Sequence, residues 1–190
     1  MKIFISGGCK NGKSYYAQHC AKHLAKVQQA NDLYYVATMQ PVDSEDDQRI
    51  ARHIEERTGW GFVTIEQPVD IESILHTCDP DGSFLLDSLT ALLANEMFPL
   101  DGCVNEKAAE KIIGGLSQIF KKVNNIILVS DFIYSDAVIY DQLTEKYRQS
   151  LADIDKRLAK ECDILLEAAY TQVIVHKGED LFHEISGKID

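Results

Sequence analysis

The chain has no run of about 18 apolar residues, so a membrane-spanning helix is excluded. Its first residues carry neither a basic segment nor the apolar core of an export signal, and the expectation is a protein that is not exported. Cysteines are few and scattered: Cys9, Cys20, Cys78, Cys103 and Cys162 contain no C-x-x-C pair, and an odd set of five suits neither a disulfide framework nor a zinc site. A reducing, cytoplasmic setting follows. Basic residues are in deficit, 19 against 30 acidic for a formal charge of −11, which argues against nucleic acid or an anionic membrane as partner. Any anionic ligand then needs a local positive site. Repeats, low-complexity tracts and Pro/Gly/Ser linkers are all missing, so residues 1–190 are read as a single domain. The 45% hydrophobic content is enough to give it a core.

Short apolar runs of strand length occur at residues 3–5, 33–37, 62–65, 84–86, 126–129, 164–166 and 173–175. Between them, helical spacing occupies residues 13–26, 44–57, 71–76, 89–97, 106–123 and 141–161. Such alternation predicts an α/β fold, a mostly parallel sheet flanked by helices on both faces. The last two runs are joined by residues 167–172 only, too short for a helical crossover, which predicts a C-terminal antiparallel hairpin. The mixed acids and bases of residues 141–161 read as a solvated helix.

Gly7-Gly8-Cys9-Lys10-Asn11-Gly12-Lys13-Ser14 matches G-x-x-x-x-G-K-[ST] in full, directly after an apolar strand and at the start of a helix. Chemistry explains the pattern. Glycines let backbone N–H groups turn toward phosphate oxygens, Lys13 reaches the β- and γ-phosphates, and the Ser14 hydroxyl can ligate Mg²⁺ at a helix end whose dipole favours anions. A P-loop also needs a carboxylate at the end of another buried strand, and Phe84-Leu85-Leu86-Asp87 supplies one; Asp87 could equally cap the helix that follows. Arg49, His53 and Arg57 fall at i, i+4 and i+8 of a charged helix, a face suited to a triphosphate and a nucleophilic imidazole, though the same spacing also describes a solvated surface.

Taken together, the P-loop segment, Leu33-Tyr34-Tyr35-Val36-Ala37-Thr38, Arg49-Ile50-Ala51-Arg52-His53, Thr64-Ile65-Glu66-Gln67-Pro68 and Leu85-Leu86-Asp87-Ser88-Leu89-Thr90 resemble the bifunctional adenosylcobinamide kinase/adenosylcobinamide-phosphate guanylyltransferase family of cobalamin biosynthesis. The resemblance is specific over residues 1–95 and diffuse from about residue 126 onward. It implies a RecA-like P-loop NTPase fold, a homotrimer, GTP and ATP as nucleotides with Mg²⁺, and adenosylcobinamide and its phosphate as partners. It further implies that His53 becomes guanylylated and that the P-loop, Thr38 with Met39, Glu66 and Asp87 line the nucleotide site.

The chain also departs from that family. Where members carry Asn-Glu and then a V-G-x-G-x-V-P loop, this sequence has Ser130-Asp131-Phe132-Ile133-Tyr134-Ser135-Asp136-Ala137-Val138, without the glycines or the proline. The G-x-x-N-Q helix pattern becomes Leu151-Ala152-Asp153-Ile154-Asp155-Lys156, while Arg148 matches the F-R-D position in part. The substrate side is therefore rewritten and the nucleotide side intact. Two alternatives stay open: a small-molecule P-loop kinase without a covalent intermediate, and a GTP-binding module that has lost transfer activity. Trp60 between Gly59 and Gly61 reads as a loop aromatic, and Cys9 as a small filler open to alkylation.

Overall fold

A strand with no polar break needs cover on both faces, and the strands that do lie at the middle of the sheet are the uninterrupted ones. The computed structural model describes residues 1–41, 50–51, 54–55, 57–170 and 172–186. Its strands are β1 (Lys2–Gly7), β2 (Leu33–Ala37), β3 (Phe62–Glu66), β4 (Ser83–Asp87), β5 (Asn125–Val129), β6 (Ile164–Ala169) and β7 (Gln172–Lys177). They form one seven-stranded sheet in the order β3-β2-β4-β5-β1-β6-β7, parallel except for the antiparallel β6–β7 pair. The helices are α1 (Lys13–Gln28), a 3-10 turn (Ile71–His76), α2 (Leu89–Met97), α3 (Ala108–Lys122), α4 (Gln142–Glu161) and α5 (Glu179–Ser186). This is the RecA-like P-loop arrangement.

Alternation along each strand sends successive side chains to opposite faces, and each face has its own core. Phe4, Phe84, Leu86, Ile126 and Leu128 pack under the 3-10 turn, α2, α3 and α4. Ile3, Ile5, Leu85, Ile127 and Val129 pack under α1 and α5, against Ala17, Ala21, Leu24 and Ile185. Each fully buried large aliphatic contributes roughly 1.5–3 kcal/mol of burial energy, and a one-residue slip of a central strand would swap its side chains between the two cores and break the packing of both.

The predicted elements that fall on described residues are present, with three adjustments. The final hairpin is longer than its apolar runs: β6 continues through Glu167 to Ala169, because Glu167 points to the less covered side and meets His176 across the pair at 2.7 Å. Helix α5 closes one face through Phe182 and Ile185 and was not among the expected elements. The reading of α4 as a solvated helix is corrected. Arg148, Leu151, Asp155 and Leu158 recur at three- and four-residue steps and are all buried, a stripe that carries two charges into the core. Most of the expected helix at 44–57 lies outside the described residues; Ile50, Ala51, Ile54 and Glu55 within it are helical.

Candidate phosphate-binding active site

The P-loop takes its shape from three backbone features. Gly7 ends β1 opposite Ala168 of β6, where a Cβ would run into the Ala168 carbonyl oxygen. Lys10 (φ 59°) and Gly12 (φ 80°) adopt left-handed conformations that swing the chain back toward the sheet. Helix α1 then starts at Lys13 with no side-chain cap and no acidic residue in its first turn, which leaves its N-terminal field open to an anion. Lys13 is buried, and its Nζ donates to the Gly8 carbonyl at 2.6 Å and pairs with Asp131 Oδ1 at 2.7 Å.

The facing wall comes from the ends of β2, β3 and β4. Asp87 Oδ2 accepts the Tyr35 hydroxyl at 2.9 Å, and the guanidinium of buried Arg57 stands 4.1 Å from the Tyr35 ring centroid. The capping alternative for Asp87 falls to its neighbour: Ser88 is the N-cap of α2, accepting from the Ala91 N–H at 3.3 Å. Thr38 is fully buried, and its hydroxyl donates to the Ser88 carbonyl at 2.7 Å while accepting the Ser88 N–H at 2.8 Å, so it ties β2 to β4 from behind the wall.

Between these walls lies a cavity of about 1020 Å³, at the upper end for small-molecule sites and large enough for a nucleotide with a second ligand beside it. Of the residues singled out from sequence, Cys9, Lys10, Asn11, Gly12, Lys13, Ser14, Met39, Arg57, Glu66 and Asp87 all line it. Gly7 and Gly8 shape the turn beneath. Arg49 and His53 lie outside the described residues, although Ile50 and Ile54 of the same segment reach the cavity. Sequence reading missed Tyr35, Thr90, Asp131 and Tyr147, which also line it. Asp131 did carry a signal: it comes one residue after the apolar run at 126–129, much as Asp87 closes the run at 84–86.

Behind Asp131, Asp155 is buried beneath the sheet edge of the site. Its Oδ2 accepts the Ser130 and Tyr134 hydroxyls, each at 3.0 Å, while Oδ1 finds no protein partner. Burial pushes this carboxyl up to about 7; the two hydroxyls pull it down, and the charge on Asp131 adds to the rise. Burial likewise raises the Tyr134 and Tyr147 phenols. Among the described residues no group of three or more His, Cys, Asp or Glu could hold a metal ion by itself, and no helix is long and apolar enough to cross a membrane.

With this geometry in view, comparison with known proteins gives a consistent result. The family model described as cobinamide kinase / cobinamide phosphate guanyltransferase matches residues 3–171. The bifunctional adenosylcobalamin biosynthesis protein CobU of Salmonella typhimurium is 27% identical over 176 residues, 86% of this chain and 92% of that protein. Its Escherichia coli namesake is 29% identical over 103 residues, 54% of this chain and 53% of the other. Among solved structures, a KaiC-like protein from Pyrococcus horikoshii superposes with a TM-score of 0.51 over 93% of this chain and 78% of its own, at 12% identity, a likeness of fold alone.

Proposed function

The chain belongs to the cobinamide kinase / cobinamide phosphate guanyltransferase family, and from that membership we propose that it phosphorylates adenosylcobinamide and then converts the phosphate to adenosylcobinamide-GDP. In the first stage the substrate hydroxyl attacks the γ-phosphorus of ATP or GTP. In the second, an imidazole nitrogen of His53 attacks the α-phosphorus of GTP, pyrophosphate leaves, and the substrate phosphate displaces the histidine from the guanylyl group. Lys13 and the first turn of α1 hold the phosphate charge, and Arg57 adds a second cation on the facing wall. The arrangement suits Mg²⁺: the Ser14 hydroxyl and the Asp87 carboxylate are hard oxygen donors on the two walls, and an ion taken up with the nucleotide fits a site with few protein ligands of its own. When bound, that ion neutralises phosphate charge. The chain acts as one nucleotide-binding unit within a cytoplasmic homotrimer.

The observation that carries this reading is the complete P-loop facing Asp87, Glu66 and Arg57 across one cavity with room for a nucleotide. The test is incubation with α-labelled GTP and Mg²⁺. The wild type should acquire an acid-labile, base-stable GMP adduct on His53, and His53→Ala should lose the adduct while still phosphorylating adenosylcobinamide. A mutant that keeps the adduct, or a wild type that never forms one, would replace this reading with a plain kinase or a GTP-binding module.

A further inference from the structure

We propose that Asp131 is the general base of the phosphorylation step, an inference that rests on the kinase half of the function above. Strand β5 is buried along its whole length and runs between β1, which carries the P-loop, and β4, which carries Asp87. The residues leaving its C-terminal end therefore emerge between phosphate cradle and carboxylate wall. Three hydrogen bonds stitch this exit down: Ser130 N–H to the Ile5 carbonyl at 3.0 Å, Asp131 N–H to Thr90 Oγ1 at 2.9 Å, and Phe132 N–H to the Gly7 carbonyl at 2.9 Å. Thr90 is itself held, its carbonyl accepting the Tyr147 hydroxyl at 2.8 Å. Although the segment lacks the glycines of its relatives, Asp131 is thus fixed from β1 on one side and α2 on the other.

The side chain is placed as firmly as the backbone. Asp131 Oδ1 lies 2.7 Å from Lys13 Nζ, with the lysine 5% and the aspartate 24% exposed, so the ammonium is below and the carboxylate opens on the cavity. A P-loop lysine binds the β- and γ-phosphates when nucleotide arrives. A carboxylate already touching that ammonium stands beside the γ-phosphate position, within reach of a hydroxyl approaching it. The other acids are less well placed. Asp87 stands on the metal side of the site and already accepts the Tyr35 hydroxyl, and Glu66 ends β3, three strands from β5 and so about 14 Å away at ordinary strand spacing.

The step balances without another reactant. The substrate oxygen forms a bond to the γ-phosphorus, the bond from that phosphorus to the β,γ-bridging oxygen breaks, and the nucleoside diphosphate leaves with its electrons. The hydroxyl proton passes to an Asp131 carboxylate oxygen and is lost to water after product release. The guanylyl stage uses an imidazole lone pair and then a phosphate oxygen, neither of which needs a proton removed. Asp131 should therefore matter far more to the kinase activity than to the guanylyl one, which it touches only through Lys13.

The full-length chain is assayed with adenosylcobinamide and γ-labelled ATP or GTP, and in parallel for the GMP adduct with α-labelled GTP. Asp131→Asn should lower the kinase kcat by about 10²–10⁴-fold and adduct formation by at least about tenfold less than that, because it shares Lys13 with the guanylyl stage but serves as base only in the kinase stage; the remaining adduct and an unchanged circular-dichroism spectrum show that the variant folds. Formate added to Asp131→Ala should restore kinase turnover at least about tenfold, as a small base occupying the vacated space. Unimpaired kinase turnover in Asp131→Asn, equal loss of both activities, or no response of Asp131→Ala to formate would each overturn the assignment. A wild type that yields no phosphorylated product would refute the parent reading and this one with it; an active wild type with an unimpaired variant would refute this one alone.

Discussion

Asp155→Asn tests the buried carboxyl behind the site in a way that no other titrating group can imitate. In the folded protein this carboxyl sits at about 7 against an ordinary 3.8, because burial disfavours its charge. A raised folded value means that the native state holds the proton more tightly than the unfolded chain. The stabilisation from Asp155 is therefore complete below the unfolded value and is lost as pH rises through about 7. Between pH 5 and pH 8 the loss works out at about 3 kcal/mol. Asparagine keeps the shape and offers its carbonyl oxygen to Ser130 and Tyr134, but places an NH₂ where Oδ1 has no partner. That mismatch costs about 1–3 kcal/mol at either pH and cancels in the difference. Urea unfolding of both proteins at both pH values gives the double difference directly, since every other ionisation is shared. Relative to wild type, the variant should gain about 3 kcal/mol on going from pH 5 to pH 8, or about 5–10 °C in Tm for a chain of this length. A stability difference that is the same at both pH values would refute the reasoning, because Asp155 would then ionise as it does in the unfolded chain.

Removing the cradle's cation should be first a functional lesion: Lys13→Ala is expected to lower triphosphate-dependent kcat/KM by about 10²–10³-fold, and because it strips Asp131 of a buried partner it should also cost about 1–3 kcal/mol in urea unfolding. Unchanged GTP affinity by titration would count against the phosphate role. Gly7→Ala should damage the fold directly, since its methyl must push β1 away from the Ala168 carbonyl; a loss of about 1–3 kcal/mol in urea unfolding is expected together with weaker GTP binding. A variant within about 0.5 kcal/mol of wild type would show that the two strands can part without harm.

What the sequence by itself determined is whatever depends on neighbours along the chain. The P-loop was legible because its turn, its lysine and its helix start are contiguous, and only glycine suits Gly12 at φ 80° and the close approach at Gly7. The buried strands were legible as unbroken apolar runs, and the closing hairpin from a connection too short to cross the sheet. Tertiary structure decided the rest. Strand order alone brings Asp131 onto Lys13, because nothing local indicates that β5 inserts between β1 and β4. The same placement turned the capping question at Asp87 toward Ser88 and put the Thr38 hydroxyl behind the wall. Helix α4 is the clearest case. Tyr147, Leu151, Ile154 and Leu158 mark its core face by their spacing, but spacing cannot tell that Arg148 and Asp155 are drawn into that face. Packing against the sheet buried Arg148 and Asp155 in the apolar stripe and gave each a partner from another part of the chain: Asp136 and the Ile133 carbonyl for the arginine, Ser130 and Tyr134 for the acid. A buried charge is set by the groups that surround it in space, and those are fixed only when the chain has closed around it.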